Sequence, residues 1–85
     1  MTQLNRNDGY QANYGRNLTL FVQQKEESVN WLVYDNEQKK RIMDGSSSDV
    51  GGAQSEALTA ATHYQGKTEI SDCTWYPYHD SISDL

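Results

Sequence analysis

Asn17-Leu18-Thr19-Leu20-Phe21-Val22-Gln23-Gln24, then Lys25-Glu26-Glu27-Ser28, then Val29-Asn30-Trp31-Leu32-Val33-Tyr34-Asp35 is the stretch on which the fold turns. The outer blocks are rich in β-branched and aromatic residues and nearly alternate, and the polar block between them is short. Together they read as a β-hairpin. Period two places Val29, Trp31 and Val33 on one face of the second strand. Asp35-Asn36-Glu37-Gln38 reads as the next turn, because Asp and Asn side chains bond their own backbone. Lys39-Lys40-Arg41-Ile42-Met43 then reads as a third, shorter strand whose cations suit a solvated edge, with Asp44-Gly45 ending it.

Downstream the period lengthens to about 3.6 residues, that of a helix. Val50, Ala53, Ala57, Ala60, Ala61 and Tyr64 form one apolar stripe, opposite Gln54, Ser55, Glu56, Thr59 and Thr62. Ser46, Ser47, Ser48 and Asp49 offer a cap at its start, and Gly66 one at its end. The expected helix runs from Asp49 to about Gln65, with Gly51 and Gly52 weakening its first turn. Its alanines suit close packing on a sheet. Residues 68–76 alternate well enough for a fourth strand, which Pro77 stops. The expected fold is therefore α+β: a three-stranded antiparallel meander, one amphipathic helix on the sheet, and a C-terminal strand, in the order β-β-β-α-β.

Upstream, residues 1–16 are rich in Asn, Gln and Gly, with Leu4 and Met1 as the only aliphatics, and read as a flexible tail. Residues 17–78 read as one small domain, and 79–85 as a frayed C-terminus. An 85-residue chain with one cysteine has no internal disulfide to stabilise it, so a few large side chains must supply most of the burial. Net stability for that length is of order 4–13 kcal/mol. The aromatics divide into expected core (Phe21, Trp31, Tyr64, Trp75) and expected surface (Tyr10, Tyr14, Tyr34, Tyr76, Tyr78). Ile42, Met43, Leu58 and Ile70 join the expected core.

Twelve acidic against seven basic residues give a net charge of −5, which disfavours binding to a phosphate backbone. No apolar run approaches the length of a membrane helix and no signal-like segment opens the chain, so the expected location is the cytoplasm. The helix start, Ser46 to Gly52, has the small residues of an anion site, but no Gly-Lys-Ser/Thr follows, and Asp44 and Asp49 repel phosphate. Cys73, His63, His79, Asp72 and Asp80 are the other reactive types. Their spacing builds neither a nucleophile with an oriented base nor a metal site, so no enzyme activity and no cofactor are expected.

Two surface features remain. Trp75-Tyr76-Pro77-Tyr78-His79 concentrates aromatics of the kind that anchor interfaces. Lys39, Lys40 and Arg41 form the only basic cluster, beside Trp31 and Tyr34, where Arg and aromatics can stack on bases. Over residues 17–65 the β-β-β-α order and this cluster look distantly like the double-stranded-RNA-binding domain. That family opens its last helix with a Lys-Lys motif and carries a preceding helix. Here Gly51-Gly52-Ala53-Gln54 stand at the helix start, and no helical pattern precedes the sheet, so the chain is not assigned to it. The expected function is a small non-enzymatic accessory or protein-interaction module of bacterial or phage type, binding another protein through Tyr34, Tyr76 and Tyr78. The alternative is a nucleic-acid-associated regulator using Lys39, Lys40 and Arg41. Monomer and homodimer both stay open.

Overall fold

The hairpin forms with the register its alternation implies, within a larger sheet than the sequence predicts. The computed structural model describes residues 8–15, 17–66, 73–79 and 82. Its elements are β1 (Gly9–Tyr14), β2 (Leu18–Gln24), β3 (Val29–Asp35), β4 (Lys40–Ser47), α1 (Val50–Tyr64) and β5 (Tyr76–Tyr78). All strand pairings are antiparallel, in the spatial order β4-β3-β2-β1-β5, and α1 packs on one face. The class is α+β. Among the described residues no helix is long and apolar enough to cross a membrane.

Several expectations are corrected. Gly9–Tyr14, expected inside the flexible tail, is β1, paired with β2 from Gly9↔Gln23 to Tyr14↔Leu18. Its alternation is carried by Ala12 and Tyr14, both buried, and Tyr14 moves from expected surface to core at 3% exposure. The third strand does not stop at Asp44-Gly45. Gly45 pairs with Trp31 and strand pairing runs on to Ser47, because the bare glycine leaves room for the indole lying over it. The C-terminal strand is Tyr76–Tyr78, with Pro77 inside it, paired to Tyr10. An edge strand tolerates proline. Of the rest of the expected strand, residues 73–75 are not in a strand, and 68–72 lie outside the described residues. Finally, Ile82, expected in a frayed end, is buried at 5% exposure.

One core lies between sheet and helix. Leu18, Leu20, Val22, Val29 and Val33 meet Ala53, Ala57, Ala60 and Ala61, and small side chains let the helix lie close. Its polar atoms are matched. Trp31 Nε1 donates to Glu56 Oε1 at 2.8 Å. Thr62 Oγ1 donates to the Leu58 carbonyl at 2.7 Å, so the 2.7 Å contact with Tyr14 Oη is a Tyr14 donation. Such bonds contribute about 1 kcal/mol each, and a broken buried one costs more. Trp75, Cys73, Leu58 and Ile42 pack at the margin of this core. Tyr64 and Met43, expected within it, are instead exposed at 43% and 40%.

Candidate interaction surfaces

The face opposite the helix gathers the three tyrosines singled out from the sequence. Strand register puts Tyr76, Gln11, Phe21, Leu32 and Asp44 in one row across it, and Tyr78, Gly9, Gln23, Asn30 and Ser46 in the next. Tyr34 lies in a third row with Thr19 and Asn13. Phe21, Leu32 and Ile82 form a second apolar cluster, with Tyr34 and Tyr78 packed against it. The Tyr78 ring reaches past Gly9 to Phe21, with centroids 4.9 Å apart and planes tilted by 58°. The fully buried Gln23 accepts the Ile82 backbone N–H on Oε1 at 3.2 Å, which ties Ile82 to this face. Tyr76, at the end of its row, is 55% exposed. Tyr34 and Tyr76 stand three strands apart, about 14 Å at usual strand spacing, so no single side chain of a partner contacts both.

The basic cluster is divided by the sheet. Lys39 sits in the β3–β4 turn with a left-handed φ of 56°. Lys40 pairs with Asp35 on the helix side, whereas Arg41 pairs with Tyr34 on the other face. Arg41 Nη1 also lies 3.5 Å from Asp44 Oδ2, an exposed pair. The three cations therefore present no common surface, and one already faces a carboxylate.

The turn itself is organised by Asp35. Its Oδ1 accepts the backbone N–H groups of Glu37 and Gln38 at 2.9 and 3.0 Å, and its Oδ2 accepts the Tyr64 hydroxyl at 3.1 Å. The Gln38 N–H is the main cause holding this carboxyl below its ordinary 3.8. Burial opposes it, and Tyr64, the Glu37 N–H and the Lys40 charge assist. Tyr64 in turn is raised above 10.0, chiefly by its bond to Asp35. The sequence marks Asp35 as a turn residue but does not show that it clamps the helix end. This cluster satisfies itself and presents no reactive group outward.

The reactive residue types do not converge. Asp49 Oδ1 accepts Gly52 N–H at 2.6 Å, so the helix start is capped by the chain's own carboxylate. Cys73 packs at the margin of the helix-side core, while His63 is exposed in the last helical turn. His79 Nδ1 lies 3.5 Å from Asp8 Oδ1, both exposed. Asp72 and Asp80 lie outside the described residues. No group of three or more His, Cys, Asp or Glu placed to hold a metal occurs among the described residues. A cleft of about 360 Å³ opens beneath the β4 edge between Lys25, Asn30, Arg41, Asp44 and Ile82. A second, of about 510 Å³, lies between Tyr10, Val50, Pro77 and His79. Comparison with family models, curated proteins and solved structures finds no match to this chain.

Proposed function

We propose that the chain is a small protein-interaction module that binds another protein through the face of its sheet opposite α1, with Tyr76 as the outermost anchor, Tyr78 beside it and Tyr34 across the face. The supporting observation is the exposure of Tyr76 at 55% at the end of a row that continues into buried Phe21 and Leu32. Large tyrosine area beside an already ordered apolar cluster binds at low entropic cost, which is why such residues dominate interfaces. The role is non-enzymatic and needs no cofactor. The test is affinity capture from the source cell with wild type, Tyr76→Ala and Lys40→Ala/Arg41→Ala forms. Loss of the same partner protein in the Tyr76 variant alone supports this reading, and equal recovery by wild type and Tyr76→Ala removes it. Recovery of nucleic acid with a steep salt dependence, lost in the Lys40/Arg41 variant, would favour a nucleic-acid regulator instead.

A further inference from the structure

The two edges of the sheet differ in what they offer a further strand. At the β5 edge, Gln24 N–H donates to the Asp8 carbonyl at 2.8 Å, so Asp8 turns its backbone toward β2. Alternation then turns Gly9 and Gln11 toward β5, where they meet Tyr78 and Tyr76. The residue left facing outward is Pro77, which has no N–H to donate. That edge is short and blocked.

The β4 edge is long, and among the described residues no strand pairs on its outer side. The 2.7 Å bond from Lys25 N–H to the Ser28 carbonyl sets the alternation of the β2–β3 hairpin. It turns Val29, Trp31, Val33 and Asp35 toward β4, so their partners Ser47, Gly45, Met43 and Lys40 face inward. Arg41, Asp44 and Ser46 face outward. Register slips by one residue between Val33 and Tyr34, leaving Ile42 as the extra residue of a bulge. Residues three apart normally face opposite ways along a strand. The bulge is what aims both Arg41 and Asp44 outward, on the same face.

We propose that β4 pairs antiparallel with the β4 of a second copy about a two-fold axis between Ile42 and Met43. In that register Arg41 of each copy stands opposite Asp44 of the other, Ile42 opposite Met43, Lys40 opposite Gly45 and Lys39 opposite Ser46. No like charges are opposed. A two-fold axis at Asp44 would instead oppose two carboxylates, which disfavours the alternative. The seam is apolar where it needs to be: Met43 is 40% exposed, and Ile42 and Leu58 are half-buried on the helix side. Pairing supplies strand partners along the outer side of both β4 edges, in a closed, self-complementary contact. The product is a continuous ten-stranded sheet with both helices on one side and the two Tyr76 edges at its far ends. The proposal goes beyond the tyrosine surface and does not depend on it.

The test is solution mass against concentration for wild type, Arg41→Asp and Asp44→Arg. Wild type shifts from 9.7 kDa to twice that value as concentration rises. Each charge reversal opposes two like-charged pairs and weakens association about tenfold or more. Mixing the two variants in equal amounts restores the doubled mass. In the mixed pair the carboxylate introduced at position 41 meets the guanidinium introduced at position 44, and the remaining native Arg41 and Asp44 meet each other. The intrachain Arg41–Asp44 pair cannot produce recovery on mixing, and helix circular dichroism confirms that each variant is folded. Wild type that stays at 9.7 kDa up to millimolar concentration overturns the proposal and leaves the edge to an extended segment of another protein. Dimers that survive either reversal, or variants that fail to associate when mixed, overturn it equally.

Discussion

The two faces of the sheet are made by the same strands but closed by different means. On one, Leu18, Leu20, Val22, Val29 and Val33 meet a whole helix, and the polar atoms of Trp31 and Tyr14 end on Glu56 and Thr62 of that helix. On the other, Phe21 and Leu32 are covered by Ile82, with Tyr34 and Tyr78 at the margin, and a Gln23 bond holds the cover in place. The first face is closed by 15 helical residues that fold as a unit, so its contacts are mutually supporting. The second has no such unit over it among the described residues. The two faces thereby differ across one strand thickness: the helix side is closed by a regular element, and the other has an aromatic margin of Tyr34 and Tyr78 around Phe21, Leu32 and Ile82 among the described residues.

Leu20 is fully buried against the helix, where neighbours on both layers are fixed. Leu20→Ala should cost about 4 kcal/mol, the upper part of the range for such truncations where the cavity cannot collapse. For a chain this size that is a large share of total stability, and urea denaturation reads it directly. Ile82→Ala on the opposite face should cost about 2 kcal/mol, the lower part of that range, because no regular element among the described residues fixes the space around it. A loss for Ile82→Ala equal to that for Leu20→Ala would show that the two faces support the fold equally.

Smaller effects probe polar groups on the helix side. Tyr14→Phe removes the donor to Thr62 Oγ1 and should cost about 1 kcal/mol by the same measurement. The Asp35–Tyr64 pair contributes across the middle of the pH range and is lost only toward its extremes. Because the folded carboxyl titrates below its ordinary 3.8, its contribution is complete above that pH and is lost as pH falls through the lower folded value. The folded Tyr64 hydroxyl titrates above 10.0, so its contribution is complete below that pH and is lost as pH rises through the higher folded value. Stability measured against pH should therefore fall less steeply below pH 3.8 in Asp35→Asn than in wild type. Parallel acid limbs would mean that the ionised Asp35 carboxylate, with its turn N–H donors, does not stabilise the fold.

What the sequence revealed follows the same division. The β2–β3 hairpin and α1 were legible because each announces its period over many residues and is flanked by turn or cap chemistry, and the Lys25–Ser28 connection and the Asp49 cap sit where the pattern places them. β1 was not legible. Its inward residues are Ala12 and Tyr14, and its outward ones, Gln11 and Asn13, carry the composition of a tail. Its order comes from pairing on both sides, a tertiary effect that local propensity does not contain. Gly45 and Pro77 misled for a related reason. Each breaks a strand in isolation, but one makes room for Trp31 and the other faces an open edge. Tyr64 kept helical phase with the stripe, yet its hydroxyl is drawn out to Asp35. For the candidate surface, the sequence named Tyr34, Tyr76 and Tyr78, but only strand order shows that they share a face.

Tyr76→Ala should have the smallest effect on stability, below about 0.5 kcal/mol, as expected for an exposed side chain that closes no cavity. Its neighbour gives the control. Tyr78 packs on Phe21 at 4.9 Å, so Tyr78→Ala should lower the denaturation midpoint measurably while Tyr76→Ala does not. Strand propensity alone would predict similar losses for two tyrosines in one three-residue strand. A difference between them therefore reports the packing of the second face. If the two truncations cost the same and the cost is large, Tyr76 is a structural part of the edge, and the surface available for binding shrinks to the margin around Tyr34. If Tyr76→Ala is neutral for stability and abolishes partner capture, the side chain is held ready by an already formed sheet, and its binding contribution can be measured without correction for unfolding.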